Sequence, residues 1–315
     1  MEIARGKGMR LILSLMLAVA LLGMSAVMAG CDADTTDGDT NGDANGETPS
    51  VDADPIEIGW VPWDEDIAVT YLWKHILEGE GYEVNLTQLD IAPVYAGVAE
   101  GDLDLYLDAW LPITHGDYAD EYDENWEYLS IWNNNGLLTW AVPDYVDVQS
   151  IADLKGQSDM FDGQIIGIEA GAGLMRLSKD AVIPGYGLEE YTLVEGSTSA
   201  MLAELDRAVS NEEPIVVTLW RPHWAYGAYP MRDLEDPEGH LGGAEELHVV
   251  AHKGFSDEYP EVAEWLTNFK LSDEQIGSLT NTVIQEYGTG QEAEGVEDWL
   301  SDPANQALVD GWLGK

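Results

Sequence analysis

Three tryptophans stand where a strand gives way to a turn, and their ring faces are the first candidates for chemistry. Trp110-Leu111-Pro112 closes the run Leu103-Asp-Leu-Tyr-Leu-Asp-Ala109, and Trp220-Arg221-Pro222 closes Ile215-Val-Val-Thr-Leu219. Trp63 lies in Gly59-Trp-Val-Pro-Trp63-Asp-Glu-Asp-Ile67, in the turn after a first strand and just before a helix. An indole face attracts a cation by roughly 0.5–2 kcal/mol through its quadrupole. Three such faces around one space would cage a cation that donates no strong hydrogen bond, for which a quaternary ammonium is the standard case. A primary amine would instead need carboxylate or carbonyl partners. Any one of these rings taken alone reads equally as core or rim. The repetition of the tripeptide, 110 residues apart, sets Trp110 and Trp220 aside from the other indoles.

The sequence also offers a place for an anion. Gly171-Ala172-Gly173-Leu174-Met175 follows a strand pattern and opens a helical one, where amide N–H groups are free to bind negative charge. The amides of Gly173 and Leu174 suit a carboxylate; the third glycine of a dinucleotide fingerprint is missing. His115, five residues beyond Trp110, could donate to the same carboxylate, and a surface histidine without a ligand is the other reading of that residue. His248 and His252 would form a metal pair on a helix. The alternation of Glu246-Leu-His-Val-Val-Ala251 predicts a strand instead, where the two are only same-face neighbours. No metal and no cofactor is therefore expected.

The elements that must hold these residues come in two copies. Ile56-Glu-Ile-Gly59 and Ile165-Ile-Gly-Ile168 are short β-type runs, each followed by a turn and a helical pattern. Tyr82-Glu-Val84 precedes the first Trp-x-Pro by 28 residues, and Tyr191-Thr-Leu193 precedes the second by 29. Helices are expected at Ala68–Glu78 and Ala92–Glu100 in the first unit, and from Leu174 and over Ser199–Val209 in the second. Leu137–Val142 reads as the strand leaving the first lobe and Glu246–Ala251 as one returning to it. The tail, about Tyr259–Lys315, reads as helices packed on the first lobe, with Trp265, Trp299 and Trp312 in its core. Strands alternating with helices give an α/β fold with largely parallel sheets, whose ligands sit beyond the carboxyl ends of the strands.

Composition narrows the partners. The 315 residues suffice for two lobes with proper cores. Twelve Trp and 14 Tyr against 3 Phe is a skew towards aromatics with a polar atom, a weak sign of an aromatic binding surface. There are 60 acidic against 13 basic side chains. Without residues 1–30, which hold Glu2, Arg5, Lys7 and Arg10, 59 acids and 10 bases remain, a net charge of −49. Nucleic acid and anionic membrane surfaces are excluded, since both need Lys/Arg patches. Self-repulsion of this size is screened when the Debye length falls to about 3 Å near 1 M salt, so a high-salt, halophilic setting is expected.

Arg5, Lys7 and Arg10 precede an apolar run from Leu11 to Gly30 and then Cys31, the one cysteine. This is the plan of a secretory signal, and it leaves no disulfide to form. Met28-Ala29-Gly30-Cys31 resembles a bacterial lipobox, in which the cysteine is acylated and becomes the new N-terminus; Met28 stands where Leu is usual. An uncleaved membrane anchor is the alternative. Asp37-Gly-Asp39-Thr-Asn41-Gly42 imitates a calcium loop, but the twelfth position is Thr48 and not Glu. The expected organisation is a lipoprotein signal peptide over 1–30 and a flexible acidic tether over 31–55. Lobe 1 then takes 56–140 with 255–315, and lobe 2 takes 141–254.

Several motifs, in order over most of residues 56–275, resemble the glycine betaine/proline betaine-binding proteins of ABC importers. They are Trp63-Asp-Glu-Asp-Ile-Ala, Leu107-Asp-Ala-Trp-Leu-Pro-Ile-Thr-His115, Ile166-Gly-Ile-Glu-Ala-Gly-Ala-Gly-Leu-Met175 and Thr218-Leu-Trp-Arg-Pro-His-Trp224. The resemblance implies a two-lobe, hinge-closing receptor of the periplasmic-binding-protein (Venus flytrap, type II) fold with its ligand between the lobes. By motif position the trimethylammonium cage falls on Trp63, Trp110 and Trp220, and the carboxylate on the amides of Gly173 and Leu174 and on His115. Leu174 stands where the family often has Ile, a change a backbone contact tolerates. It further implies an extracytoplasmic, lipid-anchored monomer that is not an enzyme, binds a small zwitterion and serves a separate ABC permease and ATPase in osmoprotection. A choline or carnitine receptor of the same fold is the alternative. A hydrolase using Asp108 with His115 is the reading from a different class, and no nucleophile or zinc motif accompanies that pair.

Overall fold

The computed structural model describes residue 51 and residues 53–315. The expected signal segment, Cys31 and the calcium-like pattern lie outside the described residues. A first unit runs β1 (Ile56–Trp60), α1 (Asp64–Gly79), β2 (Val84–Gln88), α2 (Ile91–Glu100), β3 (Leu105–Leu111). β1 pairs in parallel with both β2 and β3. All seven residues of β3 are buried, as a strand covered on both faces requires. Helix α2 stops at Gly101, whose φ of 78° is the left-handed C-cap that glycine adopts without cost from a Cβ. Helix α1 begins at Asp64, four residues before the apolar spacing predicts. Its first turn is Asp64-Glu65-Asp66, acids that the helix dipole favours there.

After the short α3 (Gly116–Tyr122) comes β4, which runs the 18 residues Trp126–Pro143 and not only Leu137–Val142. Asn133-Asn-Asn-Gly136 has the composition of a turn, yet Asn133 pairs with Leu247 and Gly136 with Glu245 through irregular register.

The second unit repeats the first. It comprises β5 (Gln164–Ile166), α4 (Gly173–Leu177) continuing through a π segment (Ser178–Val182) into α5 (Ile183–Tyr186), β6 (Thr192–Val194), α6 (Thr198–Asn211) and β7 (Val217–Arg221). β5 pairs in parallel with β6 and β7. Both Trp-x-Pro tripeptides carry a cis X–Pro bond. After α7 (Ala225–Ala228) and β8 (Met231–Asp233), β9 (Glu245–His252) returns antiparallel to β3 and β4. The strand order is β2-β1-β3-β9-β4-β7-β5-β6 with β8 on β4. Two parallel trios are thus joined by the antiparallel pair β9 and β4, and both Trp-x-Pro strands, β3 and β7, lie on the inner side of their trio.

The tail forms α8 (Phe255–Glu258), α9 (Pro260–Asn268), α10 (Asp273–Thr280) leading into a π segment (Asn281–Tyr287), α11 (Glu292–Leu300) and α12 (Pro303–Trp312). It seals the first unit: Trp312 stacks on Trp73 of α1 at 6.0 Å, and Phe269 stacks on Trp132 of β4 at 5.4 Å. Trp299 and Trp312 are buried as expected. Trp265 is not a core residue; it is half-buried and packs its ring edge on Tyr82. His248 and His252 face separate carboxylates, Glu246 at 3.2 Å and Asp104 at 3.3 Å. Among the described residues no group of three or more His, Cys, Asp or Glu is placed to hold a metal.

Candidate functional site

Trp63, Trp110, Trp220, His115, Gly173 and Leu174 line one cavity, with about 300 Å³ of empty space between the two units. Glu65, Thr114, Leu138, Ile168 and Ala172 complete its wall. Each of the six comes from the C-terminal mouth of a strand, the loop after it or the start of the helix that follows, which is why residues over 150 positions apart meet here.

The indoles are held through their N–H groups. Nε1 of Trp220 donates to Glu65 at 2.9 Å, that of Trp110 to Asp108 at 3.0 Å and that of Trp63 to Glu169 at 3.3 Å. Trp224, just outside the cavity, donates to Asp64 in the same manner. With the N–H groups occupied by acids, the ring faces are left for the cavity. No sequence signal marked these acids as ring holders. Asp108 is a charged residue inside an otherwise apolar strand, and Asp64-Glu65 reads as a solvated turn; that polarity out of place was the available clue.

His115 is fully buried, so it is not the surface histidine that spacing alone allows. Its Nδ1 receives the backbone N–H of Trp110 at 3.0 Å and lies 3.0 Å from the Tyr95 hydroxyl. An amide can only donate, so Nδ1 is the acceptor and the proton of the neutral ring sits on Nε2. Burial, aided by the charge of Arg176, lowers the His115 pKa to about 3, so the ring is neutral. Nε2 is buried and has no partner in the protein, a donor in want of an acceptor at the cavity wall. The ring lies parallel to Trp63, centroids 5.6 Å apart. The loop that carries His115 is pinned by Glu245, whose carboxylate accepts from the amides of Ile113 at 2.6 Å and Thr114 at 2.8 Å. With Nδ1 of His115 taken by Trp110, Asp108 does not orient the imidazole, and the hydrolase pairing fails on geometry.

Opposite His115, Gly173 is the first residue of α4, and helix geometry leaves its amide and that of Leu174 without intrahelical acceptors. A Cβ on Gly173 would stand 2.2 Å from the carbonyl oxygen of Thr114, so only glycine permits this approach of the two units. Nη2 of Arg176 donates across the same seam to the carbonyls of Ile113 and Thr114, 3.3 Å each. The cavity wall therefore carries three indoles and three free N–H donors, one from His115 and two from the start of α4.

Buried acids concentrate behind the rings. Burial first pushes the carboxyls of Glu65, Asp108 and Asp66 well above the usual range, with the charge of Asp108 adding to the rise at Glu65, that of Asp66 at Asp108 and that of Glu65 at Asp66. Asp66 accepts from the Val61 amide at 2.7 Å and from the Thr70 hydroxyl at 3.1 Å, fixing the turn that presents Trp63. His223 stands 3.5 Å from Asp64, but burial lowers its pKa to about 3, so the contact joins a neutral ring to an acid.

Comparison with known proteins points the same way. Residues 54–302 match the family described as the substrate binding domain of ABC-type glycine betaine transport systems. The solved lactococcal protein complexed with glycine betaine in its closed, liganded conformation is 29% identical, with a TM-score of 0.75, 82% of this chain and 99% of that chain being covered. An ABC-transporter choline binding protein in complex with choline is 26% identical, with a TM-score of 0.75, over 82% of this chain and 91% of that one. A glycine betaine/carnitine transport binding protein of Listeria monocytogenes is 32% identical over 151 residues, 47% of this chain. That match spans about half of the Listeria protein, 49% of its length.

Proposed function

The chain belongs to the family of substrate binding domains of ABC-type glycine betaine transport systems, and on that premise we propose that it is the receptor for glycine betaine or proline betaine in such a system. The fold is the two-lobe α/β binding-protein fold, and the family's members are solute receptors, not enzymes. The observation that carries the choice of ligand is the division of the cavity. Three indole faces suit a trimethylammonium, while Nε2 of His115 and the amides of Gly173 and Leu174 suit a carboxylate about two bonds away. A zwitterion with no net charge also enters an acidic protein without long-range repulsion or steering. A choline or carnitine receptor is the second reading, favoured by the similarity to a choline-binding and to a glycine betaine/carnitine-binding protein.

The receptor works outside the cytoplasm, tethered by a lipid on Cys31, and hands its ligand to a separate permease and ATPase. Among the described residues no helix is long and apolar enough to cross a membrane. Cys31→Ser should free the protein from the membrane fraction; retention would support an uncleaved anchor. With a net charge of −47, the fold should melt at a higher temperature in molar salt than in dilute buffer, and an unchanged melt would remove the halophilic reading.

The ligand reading is tested by tryptophan fluorescence during titration with glycine betaine in molar salt. A saturable change is expected, because three of the rings would contact the ligand. No response to any trimethylammonium compound would overturn it.

A further inference from the structure

The carboxylate subsite is split between the two units. Nε2 of His115 comes from the turn after β3, and the amides of Gly173 and Leu174 come from the start of α4. The subsite therefore exists only while that turn and that helix stay in register. On the cage side, indole N–H groups bridge the units: Trp63 donates to Glu169, Trp220 to Glu65 and Trp224 to Asp64. On the anion side, among the described residues, one side chain makes every hydrogen bond and ion pair that joins α4 to residues 113–117. Arg176, three positions beyond Gly173 on α4, donates from Nη2 to the carbonyls of Ile113 and Thr114, and its Nε lies 3.2 Å from Oδ2 of Asp117. Ile113 and Thr114 are the two residues before His115, so the guanidinium grips the backbone that aims the imidazole. It also answers a local conflict. The Thr114 carbonyl oxygen lies against Gly173, 2.2 Å from where a Cβ would stand, and so brings a negative dipole end beside the anion donors. A guanidinium on that oxygen offsets the repulsion a carboxylate would meet there. Asp117 neutralises the guanidinium little, because its carboxylate is 71% exposed and screened by water. The charge is felt at the subsite itself: after burial, Arg176 is the second cause of the lowered His115 pKa.

We propose that Arg176 is a positioning residue for the carboxylate subsite: it locks the His115 turn onto α4 and so makes the receptor prefer a ligand with a carboxylate over one without. This rests on the betaine-receptor reading above. Arg176 is not among the residues that line the cavity; it acts through His115 and the Thr114 carbonyl.

The test titrates the wild-type protein and Arg176→Ala with glycine betaine and with choline. The variant should bind glycine betaine about tenfold or more weakly, since the subsite loses the preorganisation of its two halves. Choline, which uses the rings alone, should change by less than about threefold. In the double variant of Arg176→Ala with His115→Ala, the loss of betaine affinity should be smaller than the two single losses multiplied together, because both residues serve one subsite. Equal losses for both ligands in Arg176→Ala would make Arg176 a general clasp between the units and would overturn the inference. Losses that multiply in full would show that Arg176 acts apart from His115, and they overturn it as well. So does an unchanged betaine affinity. Should Arg176→Ala fail to fold by circular dichroism, Arg176→Gln, which drops the charge, is measured with the same two ligands and the same expectation. Wild-type protein that binds neither ligand would overturn the receptor reading itself, and this inference with it.

Discussion

The backbone N–H of Trp110 donates to Nδ1 of His115 at 3.0 Å, so the residue that offers the cage a ring also fixes the tautomer of the residue that offers the anion a donor. One turn thus supplies a residue to each half of the cavity. Leu111, Pro112, Ile113 and Thr114 lie between the two, and the buried carboxylate of Glu245 ties down Ile113 and Thr114.

Removing the His115 ring should therefore affect only ligands with a carboxylate. His115→Ala is expected to weaken glycine betaine by roughly 10- to 100-fold, the worth of a hydrogen bond to a charged group. Choline, which has no carboxylate, should change little. Parallel calorimetric titrations check this, and equal losses would place His115 in the cage's support and not at the anion.

Trp110→Ala should act on both ligands. Cage rings share one cation, so glycine betaine binding is expected to fall by more than about tenfold, and choline binding with it. A near-unchanged affinity would remove Trp110 from the site.

Gly173 is a point of close approach between the two units. Gly173→Ala adds a methyl group 2.2 Å from the Thr114 carbonyl, so the units cannot meet as they do here. Betaine affinity is expected to fall by at least about tenfold through the free energy of that clash. The melting temperature without ligand should hold, because alanine is the better helix former of the two at a helical position such as this one. Small-angle scattering should show the variant failing to contract when betaine is added; contraction equal to the wild type's would contradict the prediction.

Asp64 gives a pH dependence with a definite sign. Burial first, and the charge of Glu169 in addition, outweigh the hydrogen bond from Trp224 and raise its pKa from 3.8 to about 6. The folded state thus holds a proton that the unfolded chain loses near pH 4, so ionised Asp64 costs stability above pH 6. That cost, about 3 kcal/mol once the group is fully ionised, fades as the pH falls from 6 to 4. Asp64→Asn keeps an oxygen for Trp224, so it should be more stable than the wild type at pH 7.5 by roughly 1–3 kcal/mol. The difference should vanish by pH 4. Urea unfolding at both values decides it, and a gap independent of pH would contradict the assignment.

The residues that carry the candidate site were legible because the fold writes its unit twice. Trp110 and Trp220 close β3 and β7 at equivalent places, and the spacing of the β-type runs before them exposed the repeat. What could not be read were features whose local composition disagrees with their surroundings. Asn133-Asn-Asn-Gly136 resembles a turn, and only pairing with β9 makes it part of an 18-residue strand. Glu65, Asp66 and Asp108 have side chains that normally seek water, and their burial follows from indole and amide donors brought in from distant segments. His115 could not be placed for the same reason: its burial comes from Tyr95 of α2 and Trp63, neither of which its own neighbourhood announces.

The central claim is a cage and an anion subsite in one cavity, and calorimetric titration of the protein with glycine betaine and with choline, in molar salt, tests it most directly. Tight binding of betaine with much weaker binding of choline is the predicted result, since choline fills the rings and leaves the donors of His115, Gly173 and Leu174 unmet. Equal binding of both, or tighter binding of choline, would contradict it.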